Sequence, residues 1–420
     1  MFADRVRLSA GGVYLLIGAW VGLAFALIMA SYALYYITIA HLDPLQLVLV
    51  GTALEASYFV FEIPTGVLAD TLSRRMSVIA GFGIIGVAWA GQGLIPTFAA
   101  IATFEMLRGL GEAFVHGATE AWVAGEVGDD AIGVLFLRET QISQVASFAG
   151  LPLGVGLALI DLRIPVVLGG ALIAALAVVL IFVMPERRHP RRDAARSWRA
   201  TVGTANRALW SVRSSSLLLA LLGAQFFWGA ASEGYDRLWD PHLLLDLGFP
   251  PFELPAVVGF GLLSLAGTVI VVTSAHTVRG RLSRLDEHAV ARMLVTIQLV
   301  RIGGRIVFAT APALGIALIG SFVEPLVRGS FQPLFNAWLI RRTDADVRAT
   351  VLSTTSIASA FGQVVGGPIS GATGKTYGIP FGLLSSAVML LPGVLFFARA
   401  LGARTQPAPV RGEVTKPTLG

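Results

Sequence analysis

Residues 15–37 read LLIGAWVGLAFALIMASYALYYI, a stretch with no charged side chain. At about 1.5 Å of rise per residue, a helix of this length crosses a hydrocarbon core about 30 Å thick. The stretch is apolar on all sides, whereas a strand of a membrane barrel would alternate apolar and polar positions over about 10 residues. It therefore reads as a spanning helix. Backbone groups find no partners in lipid, so the other spans of the same chain must be helical as well. The preceding MFADRVRLSAGG carries two arginines and looks like the start of a secretory signal. The apolar run continues to about residue 39, too far for a signal peptide, so it is read as a retained first helix.

Working outward, 55% of the 420 residues are hydrophobic and 14% charged, against about 25% charged in soluble proteins. Turn residues and charges divide the chain into spans 1 to 6 at 11–39, 45–69, 76–95, 98–124, 134–159 and 163–184. Spans 7 to 12 follow at 216–240, 255–276, 290–309, 313–338, 350–373 and 379–400. The organisation expected is an N-terminal six-helix bundle (1–184), a basic linker (185–215), a C-terminal six-helix bundle (216–400) and a tail (401–420). The fold class is thus an all-α membrane protein with twelve transmembrane helices in two six-helix pseudo-repeats.

An even number of spans puts both termini on one side. The connections on that side hold nearly all the loop Lys and Arg, and the opposite set holds Arg163 and Lys375 alone. Positive charge collects in the cytoplasm, so both termini and the central linker are expected there, with the protein in a bacterial cytoplasmic (inner) membrane. The net charge of +5 is explained by this topology rather than by nucleic-acid binding. In the linker, Trp198, Val202, Ala205 and Leu209 recur at helical spacing among arginines, as in a helix lying on an anionic leaflet. The chain has no cysteine, and its six histidines show no metal-ligand spacing, so no thiol chemistry, metal site or cofactor is expected.

The two halves repeat at an offset of 216. Asp70 falls on Asp286, Trp122 on Trp338, Asp130 on Asp346, Gly150 on Gly366 and Pro152 on Pro368. Parallel six-helix repeats place a transport site near the midplane between the halves.

The loop after span 2 reads GVLADTLSRRMS (66–77), span 4 holds LRGLGEAF (107–114), span 5 GLPLGVG (150–156) and span 11 GGPISG (366–371). The loop resembles the signature of the major facilitator superfamily between its second and third helices, carried here by Gly66, Leu68, Asp70, Arg74 and Arg75. Span 4 looks like that family's intramembrane arginine followed by small residues: Arg108, Gly109 and Gly111. The glycine–proline segments, with Gly150, Pro152, Gly154, Gly366, Gly367 and Pro368, are similar to a motif of its drug/proton antiporters, an efflux class; here Leu151 separates Gly150 from Pro152. The resemblance implies the twelve-helix fold and secondary transport. It makes Gly66, Asp70, Arg74, Arg75 and neighbouring Glu62 a conformational gate, with Gly66 permitting close helix approach and Asp70 bonded in one state.

Ionisable groups in lipid are expensive, so they should face a cavity or one another. At 100° per residue, Glu105, Arg108, Glu112, His116 and Glu120 occupy an arc of about 120° on span 4. Glu324, Arg328, Gln332 and Asn336 do the same on span 10, and the repeat places Glu324 on Arg108 and Arg328 on Glu112. Opposite signs would then face each other across the cavity. Glu55 joins Glu62 on one face of span 2, and Glu233, Asp236, Arg237 and Asp240 form an ion-paired belt on span 7. Glu112, next to the middle of span 4, is the expected proton carrier, with Arg108 releasing it and Glu55 or Glu324 next in line. Tyr35, Phe59, Phe114, Phe226 and Trp228 are expected to line the cavity.

No phosphate-binding loop of the GxxxxGK[ST] kind is present, so the chain itself is not expected to hydrolyse ATP. The reading is a secondary active transporter, not an enzyme, working by alternating access. Export of a small organic or drug-like compound by proton antiport comes first; proton-coupled or facilitative uptake of a metabolite is the alternative. A membrane-embedded enzyme or a receptor would be another class, and no GxGD, HExxH or serine–histidine set supports the enzyme. The expected partners are a small-molecule substrate and membrane lipid, without nucleic acid, for a chain acting as a monomer.

Overall fold

The computed structural model describes residues 9–186, 216–282, 286–342 and 345–402. The linker beyond Glu186, the tail beyond Gly402 and the side chains of Asp130 and Asp346 lie outside the described residues, and with them the helix expected around Trp198.

The expected spans are all present as helices, with ends that move by a few residues. Span 2 is Pro44–Thr71, span 3 Arg74–Leu94, span 5 Asp129–Ala158 and span 6 Arg163–Val183. Span 8 is Ala256–Leu282, span 9 Glu287–Thr310 and span 11 Ala345–Tyr377. The remaining spans are interrupted. Span 1 is Ala10–Met29 then Tyr32–Thr38, span 4 Phe98–Val115 then Ala118–Val127, span 10 Leu314–Ser321 then Val323–Arg342, and span 12 Ile379–Val388 then Leu391–Gly402. Span 7, Ser216–Pro241, ends in a π-helical turn, His242–Asp246. Among the described residues eight of these are long and apolar enough by themselves to cross a membrane, and spans 4, 5, 7 and 11 are not among the eight.

Helix starts follow local chemistry. Asp43 accepts from Gln46 N while the Gln46 side chain returns to Asp43 N, a capping box that begins span 2 just before Pro44. Ser73 caps span 3 and Asp286 caps span 9.

Within each half the same pairs of spans pack: 1 with 5, 3 with 6, 2 with 4, and correspondingly 7 with 11, 9 with 12, 8 with 10. Without a hydrophobic drive between helices in lipid, small residues set how near they come. A Cβ on Gly150 would lie 2.6 Å from Leu23 O, and one on Gly366 2.3 Å from Ala230 O. The spans opening the halves repeat at 207 rather than 216, an offset that takes Leu23 to Ala230 and Tyr35 to His242. The Tyr35 hydroxyl donates to Gln92 O at 2.6 Å, and His242 Nε2 lies 3.1 Å from the carbonyl of Phe308, the residue 216 places after Gln92. The connection 247–255, longer than 39–43, takes up part of the difference.

Each half has its own core, built in the first around Phe82, Trp89, Ile173 and Leu180 and in the second around Leu294, Phe331, Phe335 and Trp338. A further cluster joins them, with Leu34, Val48 and Ala158 against Tyr235, Phe260 and Ile379. This junction lies away from the 70–75 loop. A Cβ on Gly371 would meet Val48 Cβ at 3.0 Å, one on Gly367 would meet Thr52 Oγ1 at 3.0 Å, and one on Gly261 would meet Val155 at 2.9 Å. Toward the 70–75 loop the halves diverge: Phe59 and Phe361 still face each other at 6.4 Å, whereas a Cβ on Gly66 would find nothing within 4 Å.

Candidate functional site

Span 4 enters the first half closely because it is small where it crosses its neighbours. A Cβ on Gly109 would lie 2.5 Å from Leu54 O in span 2, and one on Gly111 2.9 Å from Gly81 O in span 3. That crossing carries Arg108 and Glu105 inside, at 7% and 0% exposure. Arg108 Nε and Nη2 donate to Glu105 Oε2 at 3.0 and 2.6 Å, Nη1 donates to Glu112 Oε1, and the guanidinium lies 4.8 Å from the Trp89 ring. The Tyr36 hydroxyl donates to the Gln92 side chain and lies 3.3 Å from Glu105 Oε1. Glu105 is thus enclosed and held several ways, while Glu112 has one bond and a side chain about a third exposed, at 32%. Glu55, on span 2, makes no hydrogen bond or ion pair among the described residues; Glu112 and Arg108 from span 4 and Glu233 and Arg237 from span 7 act on it.

In the second half the balance is reversed. Glu324 receives Arg301 Nε at 3.0 Å, Arg301 Nη2, and Arg305 Nε and Nη2 at 3.1 and 3.2 Å. Arg305 also donates to Ala231 O and Ser386 Oγ, and each guanidinium sits over a ring, Arg301 over Trp228 at 3.7 Å and Arg305 over Tyr235 at 4.3 Å. Arg328 donates to both oxygens of Asp236 at 2.8 and 3.0 Å. Two fully buried cations on one carboxylate would be prohibitive if they stood alone; the ring faces and the Asp236–Arg328 pair beside them offset part of that cost.

Several expectations change. The span 4 stripe is not continuous, because the helix ends at Val115 and Gly117 takes φ +71 before Ala118 restarts it. His116 is left exposed at the break with its ring 5.8 Å from Tyr58, and Glu120 belongs to the first turn of the next segment. The opposite charges of spans 4 and 10 do not pair across the cavity among the described residues, since each finds a partner in its own half. Gln332 Nε2 donates to Asn336 Oδ1 at 3.0 Å. The span 7 belt is divided: Asp236 turns to span 10, while Glu233 and Arg237 pair at 2.9 Å and lie against Gly51 of span 2. Tyr35 is fully buried rather than cavity-lining, Phe59 and Phe226 gather around Phe361, and Trp228 borders a polar cavity.

In the 70–75 loop, Arg74 Nη2 donates to Asp70 Oδ1 at 3.0 Å and Nη1 to Ala121 O at 2.9 Å. Ser73 Oγ and Arg75 N donate to Glu186 at 2.6 and 3.2 Å, and Arg75 also reaches Ile181 O. The Glu62 side chain is not bonded to this loop, and Gly66 faces open space instead of a packed helix, because the halves are parted on this side. Pro152 and Pro368 lie inside spans 5 and 11 beside the glycine crossings.

At the opposite end Lys375 Nζ, in the last turn of span 11, donates to Asp43 Oδ2 at 2.9 Å, just before span 2, and ties the halves together. Burial opposes ionisation of Asp43, but the hydrogen bond and charge of Lys375 with the amides of Gln46 and Leu45 outweigh it and hold the carboxyl below its ordinary value.

Sequence reasoning passed over Arg301 and Arg305. Two arginines four residues apart in the apolar run LVTIQLVRIGGRIVFAT (294–310) were themselves the signal, because charges at that depth must turn inward. Gln92 and Tyr36 carried no comparable mark.

The family model described as Major Facilitator Superfamily matches residues 14–285. An uncharacterized MFS-type transporter, YxaM of Bacillus subtilis (strain 168), is 22% identical over 380 residues, which cover 90% of this chain and 92% of that one. Among solved structures, the nucleoside transporter NupG has a TM-score of 0.73 at 13% identity, over 94% of this chain and 100% of that one. A bacterial homolog of the human lysosomal transporter Spinster, inward-facing and unoccupied, also reaches 0.73, at 14% identity over 94% and 96% of the two chains. Peptide transporter POT in complex with sulfate reaches 0.70, at 14% identity over 93% and 94%.

Proposed function

The chain belongs to the major facilitator superfamily and is a membrane transporter, and on that premise we propose that it exports a small organic, drug-like compound in exchange for protons by alternating access. The observation that carries the reading is the sharing of Arg108 between a buried Glu105 and a half-released Glu112. Arginine stays charged at any working pH, so this group bears one net negative charge when both carboxylates are ionised. One proton makes it neutral. A neutral group is far cheaper to enclose in a membrane interior than a charged one, so protonation and closure of the cavity favour each other. Glu112, with its single bond and exposed flank, is the proton's place.

The open side carries the Arg-rich connections, which supports an inward-open state with both termini in the cytoplasm of a bacterial cell. The antiporter-like glycine–proline segments of spans 5 and 11 support export, by a monomer. Uptake of a metabolite is the second reading, favoured by the likeness to proteins described as nucleoside and peptide transporters.

A thermal-shift screen of drugs, sugars, amino acids and siderophore-like compounds selects a solute, because a ligand of the folded state raises apparent stability. In proteoliposomes, Glu112→Gln is expected to abolish proton-driven accumulation of that solute while exchange of labelled for unlabelled solute continues. Gradient-driven accumulation at the wild-type rate in the variant would move the proton from Glu112 to another group.

A further inference from the structure

Between spans 7, 10 and 11 the second half contains a cavity of about 460 Å3 lined by Gln225, Gln332, Asn336, Thr355, Ser356 and Ser359, with Trp228 and Phe335 at its wall. None of these side chains is ionisable. Gln225 is 6% exposed, and its amide makes no hydrogen bond among the described residues; nor does the Ser359 hydroxyl. The one bond between Gln332 and Asn336 leaves the carbonyl of the first and the amide hydrogens of the second open. Neutral donors and acceptors cost little while they face an open cavity and become costly without partners once enclosed. Water serves them while the cavity is open, and a ligand must serve them once it closes.

The indole at the wall is already occupied. Trp228 has Arg301 over its ring at 3.7 Å and Phe331 stacked at 3.9 Å, so a flat aromatic group or a cation finds no free indole face. The repeat sharpens the contrast. An offset of 216 takes Gln332 to His116, Asn336 to Glu120, Thr355 to Glu139, Ser356 to Thr140 and Ser359 to Ser143. The matching place in the first half is ionisable, and this one is neutral.

We propose that this cavity binds the neutral, hydroxyl-bearing part of the transported solute, a carbohydrate or other polyol ring. A hydroxyl both donates and accepts, so each one can meet an amide or hydroxyl of the wall, and an uncharged ring needs no counter-ion. Protons are then handled in the first half and the solute's polar ring is read in the second. This rests on the transport reading above and names the class of its solute.

The test uses the full chain purified in an amine-oxide detergent, which has no sugar headgroup to compete. It is titrated separately with phenyl β-glucoside, tetraphenylphosphonium and benzoate, with binding read by calorimetry and thermal shift. The glucoside is expected to bind and the two ions not to. Gln332→Leu and Asn336→Leu, at positions exposed enough to spare the fold, should each weaken glucoside binding about tenfold. Binding of either ion without the glucoside, binding of none of the three, or equal glucoside affinity in the variants overturns the proposal. Glucoside bound through Gln332 and Asn336 but never moved by a proton gradient would overturn the proton-coupled reading and leave this one standing. Gradient-driven transport of a charged solute, indifferent to Gln332→Leu, would do the reverse.

Discussion

At the scale of single residues, charge in this protein is settled locally, and Asp43 shows how that can be tested. Its carboxyl caps span 2 and receives Lys375 from the other half. Because the bonded carboxyl ionises more readily than a free one, its contribution to stability is complete above the ordinary aspartate value near 3.8 and is lost as pH falls through the lower bonded value. Lys375→Met removes the bridge and spares the cap. The melting-temperature difference between wild type and this variant should stay constant from pH 7 to about pH 4, shrink below that, and diminish in high salt, because the pair is largely exposed. A difference that did not change at all with pH below about 4 would mean that the Lys375–Asp43 charge pair does not supply it. Glu105, Arg108 and Glu112 were legible in the sequence because charge inside an apolar run demands a partner. Their allocation was not legible, since which carboxylate is enclosed depends on Tyr36 and Gln92, more than a dozen residues away in sequence.

At the scale of helices, packing turns on a few glycines. Gly150 has Leu23 O within 2.6 Å of where a Cβ would stand, whereas Gly156, on the same span, has nothing within 4 Å. Gly150→Leu should lower the melting temperature by an amount equivalent to about 1–3 kcal/mol, as forced overpacking does, while Gly156→Leu leaves it near wild type. Equal effects at the two positions would show that the crossing of spans 1 and 5 is not set by Gly150. The glycine–proline segments could be read in the sequence as places of close approach. The break in span 4 could not, because the run 98–124 stays helix-compatible throughout and one glycine, Gly117 at φ +71, is enough to end a turn. Glu120 was consequently grouped with a stripe that stops before it.

At the scale of the whole molecule, two halves of like construction are closed against each other at one end and parted at the other. The number of spans, the side on which positive charge collects and the repeat were visible in one sequence because each is a long periodic pattern. The seal between the halves was not, since Val48, Ala158, Tyr235 and Phe260 meet only after both bundles have formed. The alternating access proposed above requires that seal to open in each cycle. The chain has no cysteine, so a pair can be introduced at Val48 and Gly371, whose Cβ positions approach 3.0 Å, a little inside the usual range for a disulfide of about 3.5–4.5 Å. The decisive measurement is counterflow of the screened solute through V48C/G371C protein, oxidised and then reduced, in proteoliposomes. The account predicts that the crosslink stops exchange and that reductant restores it; exchange continuing at the uncrosslinked rate with the disulfide intact would contradict it.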